Sequence, residues 1–411
     1  MPATLHEVKV DDTTIPVIFE QDNHLPLVSM QLVFTDSGAL TDTKAGLAKL
    51  ASRLLGEGTR TMGSEAFAEA LESKAITLHA SVGAETFVIS LNALKSEFSF
   101  GLKMLLQLLQ DPNYTQEAFA KVQTQTIGAL TQKQSDFDYV ANHLLKSVLF
   151  KGTARAYPSS GTVESVGQIN LDDLKKHISQ HIGVNNLIVV LGGDLTEAEV
   201  QQTVSELAAV LPVVSVSELN VIEPIPEPQT VIQTAATEQA YLYFGAPYSM
   251  PFNSDTVYLG KVAAFVLGSS GFGSRLMEEI RVKRGLAYSA YCSFSVNRTG
   301  SYFTGHLQTK LESAEEAQRV VSEVVEAFIE KGITQVELDA AKEFLIGSEP
   351  LRNETLQQRI GNAFNAYYSD KPLDYRTAEL ALIEQIELVQ INAFIREHDE
   401  IGKISFAMVR D

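Results

Sequence analysis

The segment Glu223-Pro-Ile-Pro-Glu-Pro228 cannot lie in a helix or in the middle of a sheet. Each proline lacks an N–H, fixes φ, and disfavours helix in the residue before it. With Pro212 it marks an extended connector over residues 212–228, near the midpoint of a 411-residue chain. The chain therefore divides into residues 1–211 and 229–411, each long enough for one substantial domain.

The two halves carry the same order of elements. In the first, a strand at 32–35 precedes helices at 45–55 and 64–73. The strand 86–93 follows, with Phe87, Ile89, Leu91 and Ala93 alternating onto one face. In the second, a strand at 241–244 precedes helices at 256–267 and 274–283 and a strand at 301–308. Residues 71–79 share an apolar rhythm with residues 280–288, 209 positions later. A duplicated unit is the economical reading. Thr196-Glu-Ala-Glu199, Ser313-Ala-Glu-Glu316 and Thr334-Gln-Val-Glu337 have the pattern of capping boxes. Ala317, Val320, Val321, Val324 and Phe328 form one helix face, which Gly332 ends. Helices interspersed with hairpin-like strand pairs predict α+β domains with mostly antiparallel sheets. A dinucleotide fold is disfavoured, because no Gly-x-Gly-x-x-Gly follows the first strand.

Charge and cysteine content narrow the function. Fifty-one acidic against 32 basic residues give a net charge of −19, unsuited to holding a nucleic-acid backbone or an anionic membrane surface. The single cysteine, Cys292, permits neither an intrachain disulfide nor a cysteine-based zinc cage. No apolar run approaches the length of a membrane-spanning helix.

Self-contained catalytic patterns are missing. His177 and His181 have i, i+4 spacing, but no glutamate stands between them; a helix C-terminal turn explains the pair better than a metal site does. Gly268-Ser-Ser-Gly-Phe-Gly-Ser-Arg275 is glycine-rich but lacks the Lys-Ser/Thr of a phosphate loop. It is either a tight connector or a backbone that approaches a ligand closely. No Gly-x-Ser-x-Gly elbow occurs.

Several segments together resemble the M16 (pitrilysin-like) zinc metallopeptidase family, in its two-domain form. Gly46-Leu-Ala-Lys-Leu-Ala-Ser-Arg-Leu-Leu-Gly-Glu-Gly-Thr59 is similar to the family's Gly-Leu-Ala-His-x-x-Glu-His…Gly-Thr zinc helix. Residues 173–194 resemble the close of the first domain. Gly273-Ser-Arg-Leu-Met-Glu-Glu-Ile-Arg-Val-Lys-Arg-Gly-Leu-Ala-Tyr-Ser289 resembles the second-domain segment that carries an Arg/Tyr substrate pair. The resemblance implies two homologous domains forming half of a clamshell.

The departures are concentrated at the metal site. Lys49 and Arg53 stand at the two histidine positions and Ser52 at the general-base glutamate. The third ligand position falls at Ala129, and no glutamate occurs from 118 to 163. Cationic Lys and Arg do not ligate zinc, and serine cannot take a proton from a bound water. The metal set is thus none in this chain, while the matched Arg281 and Tyr288 remain. The resemblance implies a zinc-less subunit, inactive alone, whose zinc-bearing partner carries His-x-x-Glu-His. Arg281 and Tyr288 would act there in trans on a peptide substrate, with Gly271 and Gly273 contacting it. The alternative is a structural homologue like the respiratory-complex core proteins; an autonomous hydrolase with a site at His177 and His181 ranks third. The periplasm is the expected compartment, with the cytoplasm as alternative, since paired bacterial members are often exported and the chain starts close to its first expected strand.

Overall fold

The computed structural model describes residues 2–215 and 217–411. Val216, inside the connector, lies outside them. The rest of 212–228 carries neither helix nor strand.

Eleven strands among the described residues form two sheets. Strands β1 (Thr4–Val10), β2 (Thr13–Gln21), β3 (Leu27–Phe34), β4 (Thr77–Val82), β5 (Phe87–Leu94) and β6 (Leu187–Gly193) make the first, in the order β1-β2-β6-β3-β5-β4. Strands β7 (Thr230–Thr234), β8 (Gln239–Pro247), β9 (Ala287–Ser295), β10 (Tyr302–Lys310) and β11 (Ser405–Arg410) make the second, in the order β7-β11-β8-β10-β9. With β1 set aside the topologies are identical. One parallel pair, β2 with β6 or β7 with β11, is followed by three antiparallel neighbours. The class is α+β, and the duplication is visible strand by strand.

Two compact units follow, and neither is contiguous in sequence. The first is Met1–Thr131, Pro158–Leu219 and Leu351–Tyr375; the second is Gln132–Tyr157, Asn220–Pro350 and Arg376–Asp411. The boundaries 1–211 and 229–411 divide the strands but not all the helices. Each unit takes one helix from the other half of the chain.

The central strands show why. Val189 and Leu191 of β6 join the main core of the first unit, which holds the helices Leu47–Leu55 and Lys95–Gln110. Ile188 and Val190 point the other way, onto Ile360 and Ala363 of the helix Leu356–Tyr368. In the second unit Phe406 and Met408 of β11 face the main core, while Ala407 and Val409 meet Ala141, Leu145 and Leu149 of the helix Phe137–Leu149. A strand covered on both faces reads as an unbroken apolar run, as Leu187-Ile-Val-Val-Leu191 does.

Local signals hold with two exceptions. Thr196 and Thr334 accept from the amides of Glu199 and Glu337, closing both capping boxes, and Gly332 terminates its helix at φ +66°. Ser313 does not cap: a 3-10 turn, Leu311–Ser313, runs into the helix Ala314–Lys331, so Ser313 is already near-helical and its hydroxyl reaches no amide of that helix. The helices expected at 256–267 and 274–283 start as α-helix and then widen into π-helical turns, Phe265–Ser269 and Glu278–Lys283. Such turns re-aim side chains and are frequent at functional sites. No described helix is long and apolar enough to cross a membrane.

Candidate functional site

In the first unit the segment that resembles the zinc helix in sequence folds as the helix Leu47–Leu55. Asp42 fixes its start by accepting the amides of Gly46 (2.9 Å) and Ala48 (2.8 Å). Burial pushes the Asp42 carboxyl up to about 7, against the lowering effect of those amides. Gly46 has φ +94°, and a Cβ there would stand 2.8 Å from the Ser160 carbonyl, so only glycine fits. Leu47, Leu50, Ala51, Leu54 and Leu55 bury one face.

Lys49, Ser52 and Arg53 fall along this helix as the sequence places them. The buried Ser52 hydroxyl donates to the Lys49 carbonyl (2.8 Å), an ordinary bond back into its own helix. Arg53 Nη1 donates to Thr126 Oγ1 at 2.8 Å, and Thr126 Oγ1 donates to the Val122 carbonyl at 2.7 Å. Thr126 lies on the helix Gln116–Lys133, one turn before Ala129. The threonine was not legible as a site residue, because nothing marks it in a polar helix. A guanidinium hydrogen-bonded to a neighbouring hydroxyl stands at one ligand position, and its fixed charge opposes a dication. A lysine, a serine, an arginine and an alanine at these positions do not fit zinc. Among the described residues no cluster of three or more His, Cys, Asp or Glu is arranged to hold one elsewhere.

His177 and His181 form a stacked pair at the end of the helix Leu171–His181, with ring centroids 4.5 Å apart. His181 Nδ1 lies 2.9 Å from the His177 carbonyl. His177 is 3% exposed, and burial, then the neighbouring His181, pushes its imidazole down to about 3. The pair packs as part of the helix end. Cys292 is fully buried in the second core, with its thiol pushed up by burial.

The second unit assembles a different group. Arg281 sits in the π-helical turn Glu278–Lys283, and Tyr288 opens β9. The guanidinium carbon lies 4.4 Å from the Tyr288 ring centre and 4.6 Å from that of Phe272. Tyr288 is 81% exposed and Phe272 71%. Among the described residues the Arg281 side chain has no carboxylate at ion-pair distance and the Tyr288 hydroxyl has no hydrogen-bond partner. Neighbouring charges are spent structurally. Arg275 holds Glu337 through Nε (2.7 Å) and Nη2 (2.8 Å), and Glu279 binds Lys283 (2.6 Å) and also Arg284. The side-chain donors of Arg281 and Tyr288 therefore have no protein acceptor among the described residues. Gly271 (φ +72°) and Gly273 (φ +91°) flank Phe272, with open space where a Cβ would stand.

The duplicated α+β unit agrees with the family resemblance of the sequence, and the chain belongs to the peptidase M16 family. Residues 17–163 match the family described as insulinase (peptidase family M16), and residues 168–345 match the peptidase M16 inactive domain. The chain is 41% identical over 408 residues to the "non-peptidase homolog YmxG" of Helicobacter pylori, covering 99% of this chain and 94% of that protein. It is similar to the crystal structure of a peptidase M16 inactive domain from Pseudomonas fluorescens, with TM-score 0.91 and 22% identity over 99% of this chain and 98% of that one. A protease from Helicobacter pylori superposes with TM-score 0.87 and 14% identity over the whole of both chains. By descent and by its residues the chain is an M16 member without the peptidase machinery.

Proposed function

We propose that this chain is the zinc-less, substrate-binding subunit of a two-chain zinc endopeptidase, inactive alone. Arg281 and Tyr288 bind peptide at the metal site of a His-x-x-Glu-His partner, and the Gly271–Gly273 backbone lies beside it. One observation carries the reading: a half-buried guanidinium and an exposed phenol lie against each other, with no protein acceptor for their side-chain donors among the described residues. A role confined to structural support gives no reason to keep such donors free. Directed donors of this kind stabilise an oxygen on which charge develops as a peptide carbonyl is attacked. Guanidinium supplies charged in-plane N–H groups, and phenol one neutral O–H.

The eroded first-unit site supports the division of labour. Helicobacter pylori contributes both a relative described as a non-peptidase homologue and a structural neighbour described as a protease. Those two descriptions match the two roles the proposal requires. The test is complementation. The isolated chain should hold substoichiometric zinc and cleave no peptide, and mixing it with a zinc-loaded partner should create activity that neither shows alone. One tightly bound zinc per isolated chain, or a mixture no more active than its parts, contradicts the proposal.

A further inference from the structure

We propose that Phe272 is the positioning residue for Arg281, and that the glycine loop serves to deliver it. This rests on the trans role of Arg281 proposed above.

The loop tip is a tight turn. The Ser274 amide donates to the Gly271 carbonyl at 3.1 Å, which makes residues 271–274 a β-turn with Phe272 and Gly273 at its centre. Gly273 at φ +91° has the positive φ that a type II turn requires at its third position. Ser274 is fully buried, and its hydroxyl donates to the same carbonyl at 2.7 Å. The turn is thus anchored from below while Phe272 stands on top, 71% exposed. Core packing does not explain a phenylalanine placed there. The contact it does make is with Arg281, whose guanidinium also lies against Tyr288.

Two rings packed against the guanidinium restrict the directions its plane can take. The N–H donors lie in that plane. A long arginine side chain otherwise samples many rotamers, and the two ring contacts favour those that hold the guanidinium beside Tyr288. Each ring at an exposed site favours the stacked arrangement by about two- to five-fold. Phe272 therefore raises the population of productive Arg281 without touching the reacting atoms.

The experiment uses the full chain paired with its zinc-bearing partner. Phe272→Ala should lower kcat/KM by about two- to five-fold, with the loss in kcat and KM little changed, as expected for a donor aimed at developing charge. Phe272→Tyr, which keeps a ring, should restore it. In an Arg281→Ala background Phe272→Ala should have no further effect. An undiminished effect in that background means Phe272 acts by itself and overturns the inference. A silent Phe272→Ala beside a damaging Arg281→Ala overturns it while leaving the proposed function standing. A silent Arg281→Ala refutes both. The chain contains no tryptophan, so Phe272→Trp adds a single reporter that needs no partner. Its acrylamide quenching should rise when Arg281→Ala is added; unchanged quenching means there is no stack, which also overturns the inference.

Discussion

Replacing His177 by leucine should flatten the acid side of this protein's stability profile. His177 is 3% exposed, and its Nε2 is buried without a hydrogen-bond partner. Burial, reinforced by His181, pushes its imidazole down to about 3, from an ordinary 6.5. The native state therefore keeps the ring neutral between those values while the unfolded chain protonates it. A group depressed in this way contributes stability fully present above pH 6.5 and lost as pH falls toward 3. From pH 7.5 to pH 5 the linkage relation gives a loss of about 2 kcal/mol from this side chain. Leucine removes the titration, and with it the orphaned nitrogen, whose burial costs about 1–3 kcal/mol. Urea unfolding of both proteins by far-UV circular dichroism, at pH 7.5 and pH 5, isolates the effect. Carboxylates and His143, itself pushed down by burial to about 4, are common to both and cancel. If both proteins lose the same stability between the two pH values, the buried neutral imidazole is wrong. If zinc stabilises the wild type and not the variant, the structural role of the His177/His181 pair is wrong as well.

Three further expectations follow from the packing. Ile360→Ala removes a fully buried side chain from the helix Leu356–Tyr368 and should cost about 2–5 kcal/mol. Hydrogen exchange should then accelerate in β2 and β6 of the first unit and not in β7–β11, although residue 360 belongs to the second half of the chain. Cys292 should react with a disulfide reagent only on unfolding, because its thiol is fully buried and its pKa raised. Tyr288→Phe, at an exposed hydroxyl with no partner among the described residues, should change stability by less than about 0.5 kcal/mol.

The fold was legible wherever one residue's environment repeats at a fixed period. Phe87, Ile89, Leu91 and Ala93 announce a half-covered strand, and all four are buried on one face. The duplication was legible for the same reason. The exchange of the helices Phe137–Leu149 and Leu356–Tyr368 was not. An apolar face such as Ala141, Leu145 and Leu149 says that a helix must pack, not which of two similar sheets it packs on. The signal available was the doubly apolar strand β6, which needs a second cover. Arg281 and Tyr288 were legible through resemblance, since a seven-residue offset from an Arg to a Tyr specifies nothing. Phe272 was missed because one aromatic between two glycines has no periodicity. Its exposed position in a turn with a fixed positive φ is a three-dimensional fact. Ser313 misled because a capping box in sequence does not reveal a preceding 3-10 turn.

The central claim is that a chain with no zinc site of its own contributes donors to another chain's reaction. The most direct measurement is kcat/KM for peptide cleavage by the zinc-bearing partner paired with wild-type chain, Arg281→Ala or Tyr288→Phe, with pair formation checked by sedimentation. Equal assembly and a drop in kcat/KM of about ten-fold or more for Arg281→Ala, the scale of a lost charged donor, is the predicted result. Equal assembly with unchanged kcat/KM in both variants would contradict the account.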